Sequence, residues 1–170
     1  VFVINVDLVD SVDYLPGSYG VHYGRSLGGV VDVKTKQDFP EEGRISWSSD
    51  IIDSGGVFQG RIGKYGVAAA ARRSYIDLLI PYFTPNARFV VKPQWYDYQL
   101  KIDRLEGRDK LSFFIFGFQD KLLTSTPDDV AQGTDPDTQG DINTLYSTHR
   151  FYFLWERKLT EKSHFRFTPS

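Results

Sequence analysis

The 170-residue chain has no cysteine and no methionine. Without cysteine it can form neither a disulfide framework nor a metal site with thiolate ligands. The G-x-S-x-G pattern of a nucleophilic serine occurs once, as GRSLG at residues 24–28, but it leads into the alternating residues of a predicted strand and not into the helix that such a serine precedes. Its most apolar stretch, Leu111 to Phe118, is far shorter than the ~20 residues of a membrane helix. These absences exclude thiol chemistry and a helical membrane protein, but not a chain that crosses a membrane with strands.

A translational start and an export signal are also missing. The first ten residues, VFVINVDLVD, contain neither a charged leading region nor a cleavage pattern. We therefore expect a fragment or a processed chain.

Neither sign of charge is in large excess. The chain has 20 lysines and arginines against 22 acidic residues, a net charge of −2 and a pI near 5.9. Its basic residues are spread along the chain, whereas a nucleic-acid-binding domain concentrates them in a patch. We predict no nucleic-acid partner.

Apolar and polar residues alternate in most segments, which indicates strands with one apolar and one polar face. In QWYDYQLKID the apolar face comprises Tyr96, Tyr98, Leu100 and Ile102, and the polar face Asp97, Gln99, Lys101 and Asp103. The same alternation occurs in RISWSS, GVFQGRIG, RFYFLWERK and HFRFT. It predicts six or seven strands and no helix, with strands near 43–50, 55–62, 67–75, 94–105, 110–124 and 148–158.

Short and long connections alternate between these strands. Residues 63–66, 106–109 and 160–162 form short turns, whereas 76–93 and 125–147 are long. In an antiparallel meander this places the short turns at one end and the long loops at the other, as in outer-membrane barrels. A soluble β-sandwich with loops of varied length remains the alternative, although predicted strands as long as 94–105 and 110–124 favour the barrel.

The segment VDSVDYLPGSYGVHYGRSLGGVVDVKTK, residues 9–36, contains five glycines and three tyrosines. It resembles the end of the plug domain of TonB-dependent outer-membrane receptors, where hydrophobic and acidic positions precede a glycine, a tyrosine-glycine pair, a double glycine and a closing strand. The positions that carry the resemblance are Val9, Asp10, Val12, Asp13, Gly17, Tyr23, Gly24, Gly28, Gly29 and Val30 to Lys36. Later segments, AARRSYIDLLIP and QWYDYQLKI, resemble early barrel strands of such receptors more weakly.

The resemblance implies an all-β fold, a fragment of an antiparallel transmembrane β-barrel with the C-terminal part of an internal plug. Residues 1–38 would be the last segment of the plug, and residues 39–170 the first six or seven barrel strands. The implied function is uptake of a scarce ligand, a metal chelate, a cobalamin or an oligosaccharide, across the outer membrane of a Gram-negative bacterium. The implied partners are the TonB energy-coupling system, outer-membrane lipid and a small ligand, with no cofactor and no enzymatic activity. The alternative is a non-transporting outer-membrane or periplasmic β-protein that binds a partner or a carbohydrate.

The plug-like segment also departs from the family pattern. Many members carry arginines that pair the plug with barrel carboxylates, but Pro16 and Ser11 stand at those places here. Asp10, Asp13 and Arg25 either form a substitute electrostatic lock or are solvated. The Gly28–Gly29 pair is predicted to lie at a point of close backbone approach, because glycine lacks a Cβ.

One acidic loop, three histidines and a pair of arginines are further candidate sites. The loop 125–147 contains five aspartates, and oxygen-rich loops can hold calcium, but it lacks the spacing of an EF-hand and its composition favours a solvated loop. His22, His149 and His164 are too scattered to predict a metal site. Arg72 and Arg73, as neighbours on a strand, face opposite sides, and we expect one in the lumen and the other near a rim.

Overall fold

The computed structural model describes residues 4–17, 20, 28–83, 90–104, 109–125, 142–160 and 163–169. A short 3₁₀ turn, Val6–Leu8, precedes the first strand. The strands are β1 Val9–Leu15, β2 Val30–Thr35, β3 Arg44–Ser49, β4 Asp53–Ile62, β5 Tyr65–Ser74, β6 Val90–Arg104, β7 Asp109–Ser125, β8 Ile142–Lys158 and β9 His164–Phe167. A helix, α1, spans Ile76–Phe83 between β5 and β6.

The strands form two antiparallel sheets. β1 and β2 pair with each other as a separate two-stranded sheet, and β3 to β9 form a seven-stranded sheet whose strand order follows the chain. The prediction of an all-β, antiparallel meander is confirmed, and no Greek-key crossover of the kind found in β-sandwiches occurs within the seven-stranded sheet.

Three details of the predicted organisation are wrong. α1 was not predicted, because Pro81 lies inside it and a helix-interior proline removes a backbone hydrogen bond. β6 begins at Val90 and β8 at Ile142, four and six residues earlier than the alternating pattern indicated. The connection of residues 50–52 is short, yet it lies at the same end of the sheet as the two long connections, so length does not separate the two ends completely.

The pairing register of successive strands aligns apolar residues in a row on one face of the sheet. Residues directly opposite each other in neighbouring strands share a face. One row that crosses six strands is apolar throughout: Ile45, Phe58, Ala69, Leu100, Ile115 and Phe151. We call this face the outer face. The opposite face, which carries Gln99 and Lys101, is called the inner face.

Large apolar side chains are exposed on the outer face, and polar side chains of β6 are buried on the inner face. On the outer face Ile45 is 78% exposed and Trp47 is 73% exposed, whereas Asp97 and Gln99 on the inner face are each 2% exposed. Residues 4–8 and 36–39, which flank the β1–β2 hairpin, cover this inner face through the contacts described below. The small apolar core lies between them and the sheet, and consists of Leu8, Phe39, Val57, Ala68 and Ala70.

Phe39 packs directly on the backbone of β5. A Cβ at Gly66 would overlap the Phe39 ring, so the ring occupies the space that any larger residue at this position would need. Ala68, two residues further along the same face, is also small and buried. The small residues of β5 therefore form the seat for the buried aromatic ring.

None of the helical segments among the described residues is long and apolar enough to cross a membrane.

The turn between β3 and β4 is built around an ionised carboxylate. The backbone N–H groups of Asp53 and Ile52 donate to Asp50 Oδ1 at 2.9 and 2.7 Å, and they hold the pKa of Asp50 below its ordinary value. A depressed pKa means that the charged form stabilises the fold. The stabilisation is therefore present above the unfolded-state pKa, near 4, and is lost as pH falls through the folded-state value.

We expect Asp50→Asn to remove this pH dependence, since the amide keeps an acceptor oxygen but does not titrate. The measurement is the difference in unfolding free energy between the wild type and Asp50→Asn, from about pH 6 to about pH 3. The wild type should lose stability relative to the variant as the solution is acidified, whereas a difference that stays constant would contradict the assignment.

Candidate functional site

The segment before β1 is held on the inner face by side chains that contact its backbone. The backbone N–H of Asn5 donates to Gln99 Oε1 at 3.0 Å, and Gln59 Nε2 donates to the carbonyl of Asp7 at 2.9 Å. Gln99 and Gln59 project from β6 and β4 of the sheet. Side chains of the sheet thus bind the backbone of this segment at two positions.

The linker after β2 is held in the same way. Lys101 Nζ donates to the carbonyl of Lys36 at 2.6 Å, and Arg61 Nε donates to the carbonyl of Phe39 at 2.9 Å. The Lys101 ammonium also lies 5.6 Å from the centre of the Phe39 ring, within the range of a cation–π contact. One lysine therefore contacts both the backbone and the aromatic anchor of the linker.

The buried charged residues of β6 are paired. Arg72 Nη2 lies 2.8 Å from Asp97 Oδ2, and Lys101 Nζ lies 3.1 Å from Asp103 Oδ2. The Ser112 hydroxyl donates to Asp103 as well. Burial of an isolated charge is costly, so these pairs are what makes charged residues tolerable at such low exposure.

A cleft of about 800 Å³ separates β2 from the inner face of β6, β7 and β8. Its sheet side carries the aromatic residues Phe114, Phe116 and Tyr152, and its hairpin side carries charged residues that include Asp32 and Lys34. The volume is in the range of small-molecule sites. The sheet side also carries Lys101 and Asp103, so aromatic surface and hydrogen-bonding charges lie side by side and suit binding of a polar organic molecule.

The predicted plug-signature residues have separate locations. Asp10 lines the cleft. Asp13 lies outside it and forms an exposed ion pair within the hairpin, with Lys34 Nζ 2.7 Å from Asp13 Oδ2. Asp13 therefore does not bind the sheet. Tyr23, Gly24 and Arg25 lie outside the described residues, so the suggested lock that includes Arg25 remains a prediction.

The predicted close backbone approach is not found at either glycine of the pair, although Gly29 is crowded by a side chain. A Cβ at Gly29 would lie 2.8 Å from Tyr14 Cε2, so the close neighbour is a side chain of β1 and not the wall of the sheet. A Cβ at Gly28 or Gly17 would meet nothing within 4 Å. The close backbone approach expected for Gly28 and Gly29 is therefore wrong, because Gly28 borders open space and Gly29 meets a side chain.

The face prediction for β6 is confirmed. Asp97, Gln99, Lys101 and Asp103 are all buried on the inner face, and two of them bond to the segments that flank the hairpin. The opposite directions of Arg72 and Arg73 are also confirmed, since Arg72 pairs with Asp97 on the inner face and Arg73 stands in register with Tyr96 on the outer face.

Sequence reasoning missed Phe39 and Arg61 as contacts between the linker and the sheet. The available signal for Phe39 was its position as a lone aromatic residue in the polar run KTKQDFPEEG. Arg61 was recognised only as a polar position of its strand, because its partner is a carbonyl 22 residues away that no local pattern marks.

The other candidate sites receive no support from the described geometry. His149 stands on the outer face, where its Nδ1 lies 3.0 Å from the Tyr98 hydroxyl, and His164 begins β9. His22 and loop residues 126–141 lie outside the described residues. Across the described part of the chain, no group of three histidine or acidic residues is arranged to hold a metal ion.

Comparison with known proteins adds no relative. No protein-family model matches the chain, and neither a curated protein nor a solved structure matches it significantly.

Proposed function

We propose that this chain is part of a TonB-dependent receptor in the outer membrane of a Gram-negative bacterium. In this proposal β3 to β9 are strands of the barrel wall, and residues 1–38 are the last segment of the plug. The whole receptor would take up a metal chelate, a cobalamin or an oligosaccharide with energy supplied by the TonB system.

The observation that carries the proposal is the apolar outer face of the seven-stranded sheet, opposite the buried polar side chains of β6. Six strands present an unbroken apolar row to the outside, and the buried side chains of β6 on the opposite face are charged or polar. In water, an exposed apolar surface of this extent is unfavourable. In a membrane barrel it is the expected arrangement, since lipid covers the outside and polar groups fill the inside.

The height of the apolar band is also consistent with a bilayer. On β6, eight residue steps separate Tyr96 from Arg104, the polar ends of the band, which is about 27 Å along the strand. At a tilt of about 40° this corresponds to about 21 Å across the membrane, near the ~25 Å band of outer-membrane barrels. Tyr96 and Tyr98 mark one border, and Tyr65 and Trp155 mark the other. Aromatic residues are typical of both borders of such a band.

The contacts of the N-terminal part support its proposed role as a plug segment. Residues 4–8 and 36–39 lie on the inner face, and β1 and β2 pair only with each other among the described strands. A wall strand would instead pair along the edge of the large sheet. The cleft between β2 and the sheet supplies a site where a polar ligand could pass between plug and wall.

Transport by the full-length protein tests the proposal. Labelled ferric chelates, cobalamin and oligosaccharides are supplied to cells that carry or lack the gene, each with and without a functional TonB system. We expect at least one probe to accumulate only when both the gene and TonB are present, because the receptor has no energy source of its own.

Binding of a probe at the cell surface without accumulation, in cells with an intact TonB system, would favour the non-transporting alternative. Accumulation that persists after loss of TonB would contradict energy coupling. Equal amounts of receptor in the outer-membrane fractions, measured by immunoblot, are the necessary control.

A further inference from the structure

Three basic side chains lie together beyond one border of the apolar band on the outer face. Arg73 stands opposite Tyr96, Lys92 stands opposite Leu123, and Lys121 stands opposite Gln94. All three positions are at the end of the sheet that carries the connections of residues 75–89 and 126–141. We call Arg73, Lys92 and Lys121 the basic cluster.

The basic cluster has no acidic counterpart on its own face. The acidic strand residues near this end, Asp53, Asp97 and Asp120, alternate to the inner face. Among the described residues, none of the three cluster side chains takes part in an ion pair. At the opposite border Arg157 Nε lies 3.3 Å from Asp109 Oδ1, and Arg104 is a single basic residue without an ion pair among the described residues. Uncompensated positive charge is therefore concentrated at one border of the band.

The spacing of the cluster suits one tetrahedral anion. Lys92 and Lys121 are diagonal neighbours across β6 and β7, with Cα atoms about 7–8 Å apart. The register sets Arg73 two residues along the sheet from Lys121 and four from Lys92, so that its Cα lies about 12 and about 14 Å from theirs. Long flexible side chains at these distances can converge on a single phosphate. Arginine adds a planar donor pair that matches phosphate oxygens.

The side-chain amide of Gln119 is a neutral hydrogen-bond donor beside the basic cluster. The Tyr96 hydroxyl lies 3.4 Å from Gln119 Oε1, and this contact orients the amide of Gln119. With its carbonyl oxygen turned to Tyr96, Gln119 directs its NH₂ group away from that ring, where it can donate to an anion. Tyr96 and Gln119 stand in the same row as Arg73.

We propose that the basic cluster binds the phosphate headgroup of a membrane lipid whose acyl chains lie on the adjoining apolar band. The inference rests on the proposed function, because it requires the outer face to contact lipid. A lipid, rather than a soluble phosphate, fits because the apolar row of Leu100 and Ile115 lies two rows below the row of Arg73 on the same face. A phosphorylated lipid complements both the charge and the apolar surface.

The test measures lipid binding to the full-length protein in neutral detergent. Native mass spectrometry follows titrations with dioctanoyl phosphatidylglycerol, with dioctanoylglycerol, which lacks the phosphate, and with inorganic phosphate. Each of Arg73→Gln, Lys92→Gln and Lys121→Gln should weaken phosphatidylglycerol binding about five-fold at low salt, from ~1 kcal/mol per basic residue near a charged lipid surface. Arg104→Gln is the matched control, since it removes one charge from the same face at the opposite border.

The possible results distinguish an error in the lipid-binding proposal from an error in the proposed membrane location. Binding of phosphatidylglycerol but not of dioctanoylglycerol or inorganic phosphate, with loss only in the cluster variants, supports the proposal. Equal loss in Arg104→Gln, no loss when the three cluster substitutions are combined in one protein, or equal binding of inorganic phosphate overturns it. Extraction of the wild-type protein from its native membranes by urea would instead show that the proposed membrane location is wrong.

Discussion

Phe39→Ala is expected to lower the free energy of unfolding by about 3–5 kcal/mol, the usual cost of removing a buried phenylalanine side chain. Phe39 is 3% exposed and fills the space above Gly66, where no larger residue fits. Loss of the ring also removes the cation–π partner of Lys101. The linker of residues 36–39 should detach from the inner face, and the loss should be visible as faster proteolysis at the adjacent exposed lysines and glutamates.

Gly66→Ala tests the same contact between Phe39 and β5 by changing the sheet instead of the linker. The added Cβ would overlap the Phe39 ring, so this variant should also release the linker, although nothing is removed from it. Gly28→Ala is the matched control, because a Cβ there meets nothing within 4 Å. Urea unfolding and limited proteolysis of the full-length protein measure both effects. If Gly66→Ala and Gly28→Ala behave alike, Phe39 does not anchor the linker.

Phe151→Lys is expected to destabilise the protein in a bilayer by about 2–4 kcal/mol, the cost of a lysine on the lipid face near the membrane midplane. Phe151 belongs to the central apolar row of the outer face. Tyr152→Lys is the matched control, since Tyr152 is the next residue, is also aromatic, and lines the cleft on the inner face. The cleft is also lined by Asp10, Asp32 and Asp103, whose carboxylates can pair with a lysine, so its cost should be much smaller.

Urea titration of the two variants in lipid vesicles measures this difference, with tryptophan fluorescence as the signal. Equal destabilisation by both substitutions would mean that the two faces of β8 experience the same surroundings. A greater cost for Tyr152→Lys would reverse the assignment of the faces and, with it, the proposed membrane barrel.

The faces of most strands could be predicted from the sequence because an amphipathic strand has a period of two, whereas β7 is apolar on both faces over residues 113–116 and shows no such period. Tyr98 and Gln99 are neighbours of opposite polarity, and the structure places them on opposite faces. Antiparallel pairing in sequence order then follows from short hairpin connections such as residues 63 and 64. Local pattern and connection length together were sufficient for the strand order of the large sheet.

The ends of several elements could not be predicted, because long-range pairing decides them. Proline is disfavoured within a strand because it cannot donate a backbone hydrogen bond. Pro93 nevertheless stands opposite Leu122 within the continuous pairing of β6 and β7. Ile142, at the start of β8, is stabilised by pairing with Thr124 across a connection whose composition resembles a loop. Strand propensity depends strongly on such tertiary contacts.

The candidate site was predicted only in part, since motif resemblance identifies a segment but not its contacts. The plug-like motif includes Asp13 and Gly28. Asp13 forms its ion pair with Lys34 of the same hairpin, and a Cβ at Gly28 would meet no atom within 4 Å. The contacts with the sheet come instead from Phe39 and from side chains such as Gln99 that bind backbone atoms. Bonds to backbone groups leave little trace in the sequence of the segment that is bound.

Oxygen accessibility of nitroxide labels along β8 tests the central claim most directly, namely that the outer face of the seven-stranded sheet contacts lipid. The chain has no cysteine, so single cysteines at successive positions from 148 to 155 can be labelled specifically within it. In the full-length protein in lipid vesicles, we predict high oxygen accessibility at positions 149, 151, 153 and 155, which lie on the outer face, and low values between them. Uniform accessibility, or maxima at 150, 152 and 154, would contradict a lipid-facing outer surface.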